Sequence, residues 1–187
     1  MIRGRKGAFL DRDGVLCRAI LRDGKPFPPH TVEELEVLSD APEACRALHA
    51  EGFVLVMVTN QPDVARGSLT LETVDAINRR LQEQLGLDRV KVCPHDDLDA
   101  CPCRKPRPGM LVEAAEESHI DLAASFMIGD RWRDVEAGSR AGCHTVLIDY
   151  DYGEGRRGVE PDYRAKSLGE AVAWVLKTAR QAEGVRE

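Results

Sequence analysis

Asp11 and Asp13 stand two residues apart in "FLDRDGVL", where an apolar run gives way to Gly14. If the extended backbone persists, positions i and i+2 face the same side. Two carboxylates held close repel each other, so they share a proton or a cation. One can then act as a nucleophile and the other as a general acid. Taken alone, the pair reads slightly better as two solvated aspartates in a turn. "IGDRWRDVEAG" places Asp130 at the end of another apolar run and Asp134 four residues on. Both can approach one side if a helix starts between them. Acidic residues also suit a helix N-terminus for electrostatic reasons alone. "VMVTNQP" offers Thr59 and Asn60, a hydroxyl and an amide able to bind a phosphoryl oxygen. "CRKPRPG" offers Arg104 and Lys105, and a lysine beside a phosphoryl group neutralises charge that develops during its transfer. By themselves these read as a polar strand end and a solvated basic pair.

A second constellation, Cys93, His95, Cys101 and Cys103, lies within "CPHDDLDACPC". Three thiolates and an imidazole suit tetrahedral zinc. Both ligand pairs are i, i+2 with a proline between them, which fixes the backbone that presents them. Four ligands close the coordination shell, so the expected zinc is structural. Asp96, Asp97 and Asp99 read as a solvated acidic loop. Cys17, Cys45 and Cys143 are isolated; Cys45 and Cys143 are expected as small buried hydrophobes. His30, His49, His119 and His144 have no ligand spacing.

These groups need a scaffold. Strands are expected over 7–11, 53–60, 89–93, 125–130 and 144–150. Helices are expected from Ala41 to Gly52 and over 70–86, 109–119, 133–142 and 168–182. Residues 17–30 read as a Pro- and Gly-bearing loop and 153–161 as a mobile one. Continuous apolar strands alternating with helices predict an α/β fold, a parallel sheet covered on both faces. Ligands of such sheets sit beyond the carboxyl ends of the strands. Asp11, Thr59, the Cys/His/Lys segment and Asp130 all follow strands, so they converge on one crevice. The stretches 14–58 and 60–104 are each filled by these elements. No large inserted cap is expected, and specificity falls to 17–30, 61–69 and the zinc loop 93–103.

With 187 residues, 43% hydrophobic and 31% charged, the chain reads as one ordinary globular domain, 1–187. A net charge of −6 argues against a nucleic-acid backbone as the main partner. "MIRGRKGAFL" has no long apolar signal region, and "FVLVMV" is too short to span a bilayer. A cytoplasmic protein is the expectation, where cysteines serve as thiols or metal ligands rather than disulfides.

In their order, "FLDRDG", "VMVTN", "CRKP" and "MIGDRWRD" resemble the four motifs of haloacid dehalogenase superfamily phosphohydrolases, and they span residues 9–134. The resemblance implies a Rossmann-like core of this superfamily without a large cap. It implies Asp11 as nucleophile, forming an aspartyl phosphate, and Asp13 as the general acid and base. It implies Mg²⁺ held by Asp11, the backbone carbonyl of Asp13 and Asp130, with Asp134 supporting that shell or Lys105. Thr59 and Lys105 would hold phosphoryl oxygens. Asn60, Gln61, Arg104 and Arg131 would face substrate, with Asn60 open to a supporting bond instead. Dehalogenases of this superfamily lack an acid two residues after the nucleophile, so Asp13 argues for phosphoryl transfer.

The expected partner is a small phosphorylated metabolite, with neither nucleic acid nor membrane, acted on by a monomer. "TNQPDVARG" and "CRKPRPGML" resemble capless members acting on a heptose bisphosphate. The short connector from His95 to Cys101 is more like those acting on histidinol phosphate. A 3′-phosphatase of nucleic-acid ends would show activity falling steeply with salt. A non-enzymatic phosphorylatable module would turn over slowly or not at all with Mg²⁺ and a good phosphate ester.

Overall fold

A computed structural model describes residues 4–22, 25–152 and 159–184. Strand β1 (Gly7–Leu10) is buried along its whole length. It leads into an antiparallel hairpin, β2 (Ile20–Arg22) and β3 (Lys25–Phe27), paired from Ile20↔Phe27 to Arg22↔Lys25. Helix α1 (Ala41–Ala50) then precedes β4 (Val54–Asn60). A single turn, α2 (Pro62–Ala65), and the longer α3 (Leu71–Leu85) follow. Thr70 caps α3 by accepting from the Thr73 amide at 3.2 Å. Next come β5 (Arg89–Cys93), α4 (Gly109–Ser118), β6 (Phe126–Gly129) and α5 (Trp132–Ala141). Strand β7 (His144–Ile148), the short β8 (Tyr163–Ala165) and α6 (Leu168–Gly184) complete the order.

The six-stranded sheet runs β5-β4-β1-β6-β7-β8, and every pairing in it is parallel. Alternation along the strands divides the core. Leu10, Leu55 and Met57 face one side, with Leu48 of α1, Leu81 of α3 and Val175 of α6. Phe9, Val56 and Val58 face the other, with Met110 and Leu111 of α4 and Ala137 of α5. Burial on both faces explains why the strands read as continuous apolar runs. From β1 the chain moves outward to β4 and β5, then returns to the opposite side of β1 as β6. The switch therefore lies at the carboxyl ends of β1 and β6, where a crevice is expected. Asp11 and Asp130 each follow one of those ends.

Among the described residues this is the expected α/β core without a large cap. Three elements depart from the sequence reading. Residues 17–30 hold the hairpin rather than a plain loop. Its strands are three residues long, too short to show a period, and Pro26 argues against a strand. The turn α2 and the edge strand β8 are short for the same reason. Residues 153–158 of the loop read as mobile lie outside the described residues.

Candidate active site

The turn after β1 is built around a buried arginine. Arg12 is fully buried and its amide donates to Oδ1 of Asp11 at 2.8 Å. Its side chain turns the other way. Nε and Nη2 donate to the Asp13 carboxylate at 3.1–3.3 Å, and Nη1 donates to Oδ1 of Asn78 on α3 at 2.9 Å. The Arg12 carbonyl accepts from the amides of Leu16 and Cys17, closing the turn. Gly14 has φ +83°, and a Cβ there would lie 2.0 Å from Oδ2 of Asp130, so only glycine lets the β1 turn approach β6 this closely. Asp11 and Asp13 thus line one cleft, as the i, i+2 spacing suggests, although the strand itself ends at Leu10.

The end of β4 supplies Thr59, Asn60 and Gln61. Asn60 grips the backbone of Lys105 from both sides. Its Nδ2 donates to the Lys105 carbonyl and its Oδ1 accepts from the Lys105 amide, each at 3.0 Å. Gln61 is a correction to the sequence reading. Expected to face substrate, it is fully buried, and its Nε2 donates to Asp13 Oδ2 at 3.0 Å and Thr59 Oγ1 at 2.9 Å. It joins two residues of the site from behind.

Lys105 is buried at the centre. Its ammonium lies 2.8 Å from Asp11 Oδ1, 2.6 Å from Asp134 Oδ1 and 2.8 Å from the Val58 carbonyl, so three donors meet three acceptors. Burial works against this charge, but Asp11 and Asp134 outweigh it and hold the pKa above the usual lysine value. Burial pushes the Asp11 carboxyl up to about 7, helped by the charge of Asp134 and opposed by Lys105. Asp130 is pushed well above the carboxylate range by burial and by Asp11 and Asp134.

Asp11, Asp130 and Asp134 offer ligand atoms all within 4.8 Å of one another. Oδ1 of Asp130 is buried without a hydrogen-bond partner, an orphan that a cation would satisfy. Three buried carboxylates around one lysine are an oxygen donor set that suits Mg²⁺. Asp134 has both oxygens engaged, one by Lys105 and the other by the Arg131 amide at 3.1 Å. That matches the supporting place expected for it.

Beside the cleft, Cys93, His95, Cys101 and Cys103 come together at the end of β5. Their sulfurs lie 3.1–3.6 Å apart, with His95 Nδ1 at 3.3 Å from Cys103 and 3.6 Å from Cys93. All four are within 4.8 Å of one another and the cysteines are free thiols, so the set fits one tetrahedral zinc. Burial raises the Cys93 thiol, and hydrogen bonds from Cys103 and Cys101 add to it. Arg104 and Lys105 follow the last ligand directly, which ties the loop to the cleft. Cys45 and Cys143 lie in the two core clusters, as expected.

The cleft encloses about 320 Å³. Pro26 and Phe27 of β3 and Pro28 just after it form part of its wall, and Arg66, Arg104, Arg131 and Arg133 line it too. Arg104 and Arg131, expected as substrate contacts, are thus both in the cleft wall. Arg12, Asn78, Arg66 and Arg133 are additions that the sequence reading does not contain. Asp97 is exposed, as a solvated acidic loop implies, and it also has arginine partners. It lines the cleft, and the guanidiniums of Arg104 and Arg133 hold its carboxyl down at about 2 against the effect of burial. Only the placement of Arg12 between the two aspartates hints at its role.

The HAD-hydrolase-like family model matches residues 102–171. The chain is 33% identical to D-glycero-D-manno-heptose-1,7-bisphosphate 7-phosphatase of Thermosynechococcus vestitus, over 91% of this chain and 95% of that one. It is 33% identical to the D-glycero-beta-D-manno-heptose-1,7-bisphosphate 7-phosphatase of Yersinia pestis, over 91% and 89%. The crystal structure of D,D-heptose 1,7-bisphosphate phosphatase from B. bronchiseptica, complexed with magnesium and phosphate, superposes with a TM-score of 0.77. It shares 30% identity, over 92% of this chain and 99% of that one. With such relatives along nearly its whole length, the chain belongs to the haloacid dehalogenase superfamily and is one of its phosphoric monoester hydrolases.

Proposed function

We propose that this enzyme removes the 7-phosphate of D-glycero-D-manno-heptose 1,7-bisphosphate through an aspartyl phosphate on Asp11. The observation that carries this is the meeting of Asp11, Asp13 and Lys105 in one cleft whose wall also holds four arginines. The names of the relatives point to the same substrate. Lys105 and the Arg12 amide both bind Oδ1 of Asp11, so attack falls to Oδ2. Oδ2 bonds to phosphorus as the ester bond breaks, and Asp13 gives its proton to the leaving oxygen. Asp13 then takes a proton from water as that water attacks phosphorus, the bond to Oδ2 breaks, and Asp11 is restored. Arg12 and Gln61 fix where Asp13 points. Lys105 and Thr59 steady the phosphoryl oxygens. Asp11, Asp130 and the Asp13 carbonyl would hold Mg²⁺, which would supply compensating positive charge when bound.

Arg104 and Arg131 take the remote part of the substrate in this reading. Histidinol phosphate is the second reading, favoured by the five-residue connector between His95 and Cys101. The enzyme works as a cytoplasmic monomer on this metabolite, with no nucleic acid or membrane as partner. Among the described residues, no helix is long and apolar enough to cross a membrane. The test compares kcat/KM with Mg²⁺ for both anomers of the heptose bisphosphate, histidinol phosphate and a 3′-phosphorylated oligonucleotide. A preference for a heptose bisphosphate supports the proposal, and a preference for either of the others overturns it.

A further inference from the structure

Asp97 bridges two arginines at the cleft wall. Its Oδ1 accepts from Arg104 Nε at 2.8 Å and Arg133 Nη1 at 2.9 Å, and its Oδ2 from Arg133 Nη2 at 3.4 Å. The two arginines come from separate segments, one following the zinc ligands and one in the first turn of α5. Each has anchors that do not involve Asp97. Arg104 Nη1 donates to the carbonyl of His95 at 3.1 Å. Arg133 Nη1 reaches the carbonyl of Lys105 at 3.4 Å, and its guanidinium lies 5.0 Å from the centroid of the Trp132 ring. Withdrawing Asp97 would therefore leave both cations in place, converging on one point of the cleft wall. The side chain of Asp97 is 53% exposed, against 11% for Arg104 and 27% for Arg133, so the carboxylate is the partner free to swing away.

The charges do not match. Two guanidiniums facing one carboxylate leave a surplus positive charge, whereas a phosphate dianion balances both and has oxygens for all three donors. We propose that Arg104 and Arg133 form the seat of the substrate's second phosphate, with Asp97 as a built-in stand-in that the arriving phosphate displaces. The inference rests on the bisphosphate reading above and deepens it. Arg133 becomes a specificity residue, and Asp97 a barrier that weaker anions do not pass.

The test uses the full chain with Mg²⁺ and zinc, and compares kcat/KM for the heptose 1,7-bisphosphate and for the heptose 7-phosphate, which lacks the second phosphate. Arg133→Gln is expected to lower the ratio of the two about tenfold or more, mainly through the bisphosphate KM, since a charge-assisted pair is removed. Arg133→Lys recovers part of it. Asp97→Asn is expected to lower the bisphosphate KM several-fold, the opposite sign from Arg133→Gln. An unchanged ratio in Arg133→Gln, or a raised bisphosphate KM in Asp97→Asn, overturns the stand-in. A wild type that handles both substrates equally overturns the bisphosphate reading itself, and the seat with it.

Discussion

The ammonium of Lys105 lies 2.8 Å from Oδ1 of Asp11, and both groups are buried. The same ammonium also holds Asp134, so one cation offsets two of three clustered carboxylates. Lys105→Met leaves those charges facing each other without it. Stability is expected to fall by about 3 kcal/mol or more, the cost of breaking a buried pair. Turnover should fall at least about a hundredfold, because the positive charge near the phosphoryl oxygens goes as well. Urea melts and steady-state kinetics check both, and Mg²⁺ should recover part of the missing stability.

Asp11 titrates near 7 without metal, above its ordinary value of 3.8, chiefly through burial. Mg²⁺ binds the carboxylate and not the acid, so protons compete with it below about 7. Apparent Mg²⁺ affinity is expected to climb with pH up to about 7 and then level off. The sign for folding follows from the same shift. The folded pKa lies above the unfolded one, so this group's stabilising share is present below about 4 and lost as pH rises to about 7. Mg²⁺ titrations and thermal melts across that range, with and without the metal, read both effects.

Arg12 and Gln61 hold Asp13 from the interior. Gln61→Leu keeps the volume but removes the amide that joins Asp13 to Thr59. It should lower kcat by roughly tenfold while KM moves little, as expected when an acid is mispositioned and substrate binding is untouched. A variant that raises KM alone would return Gln61 to the substrate contacts.

The zinc ligands lie beside the cleft, not in it, and Arg104 follows them with Nη1 on the carbonyl of His95. Cys101→Ser should lower the melting temperature by several degrees and weaken substrate binding more than it slows the chemical step. Chelation of zinc should act in the same direction. Removal of Mg²⁺ should stop turnover at once. A zinc-free protein with an unchanged melting temperature would contradict the structural assignment.

Much of this site is legible in the sequence because it obeys local rules. Asp11, Thr59 and Asp130 each end an apolar run, and in a parallel sheet those ends meet. Cys93, His95, Cys101 and Cys103 announce themselves by spacing. The failures come from contacts remote in sequence. Nothing local shows that Asp97 reaches the cleft, because its partner Arg133 lies 36 positions on. Gln61 reads as a substrate contact because nothing local shows that its amide turns back to Asp13, 48 positions earlier. Arg12 has its charge partner Asp13 beside it, but the contact that fixes its buried end, Asn78 of α3, lies 66 positions on. The hairpin at Ile20–Phe27 stays hidden because three-residue strands carry no readable period.

In the proposed reaction Asp11 carries the phosphoryl group between two displacements. The most direct measurement uses Asp13→Asn, in which the leaving oxygen still departs from a good phosphate ester but the water is poorly activated. The variant is mixed with Mg²⁺ and substrate, quenched in acid within a single turnover, digested and mapped by mass spectrometry. A phosphoryl group is expected on the peptide holding Asp11, absent when Asp11→Asn is added to the variant. Release of phosphate with no modified peptide, or modification at another residue, would contradict it.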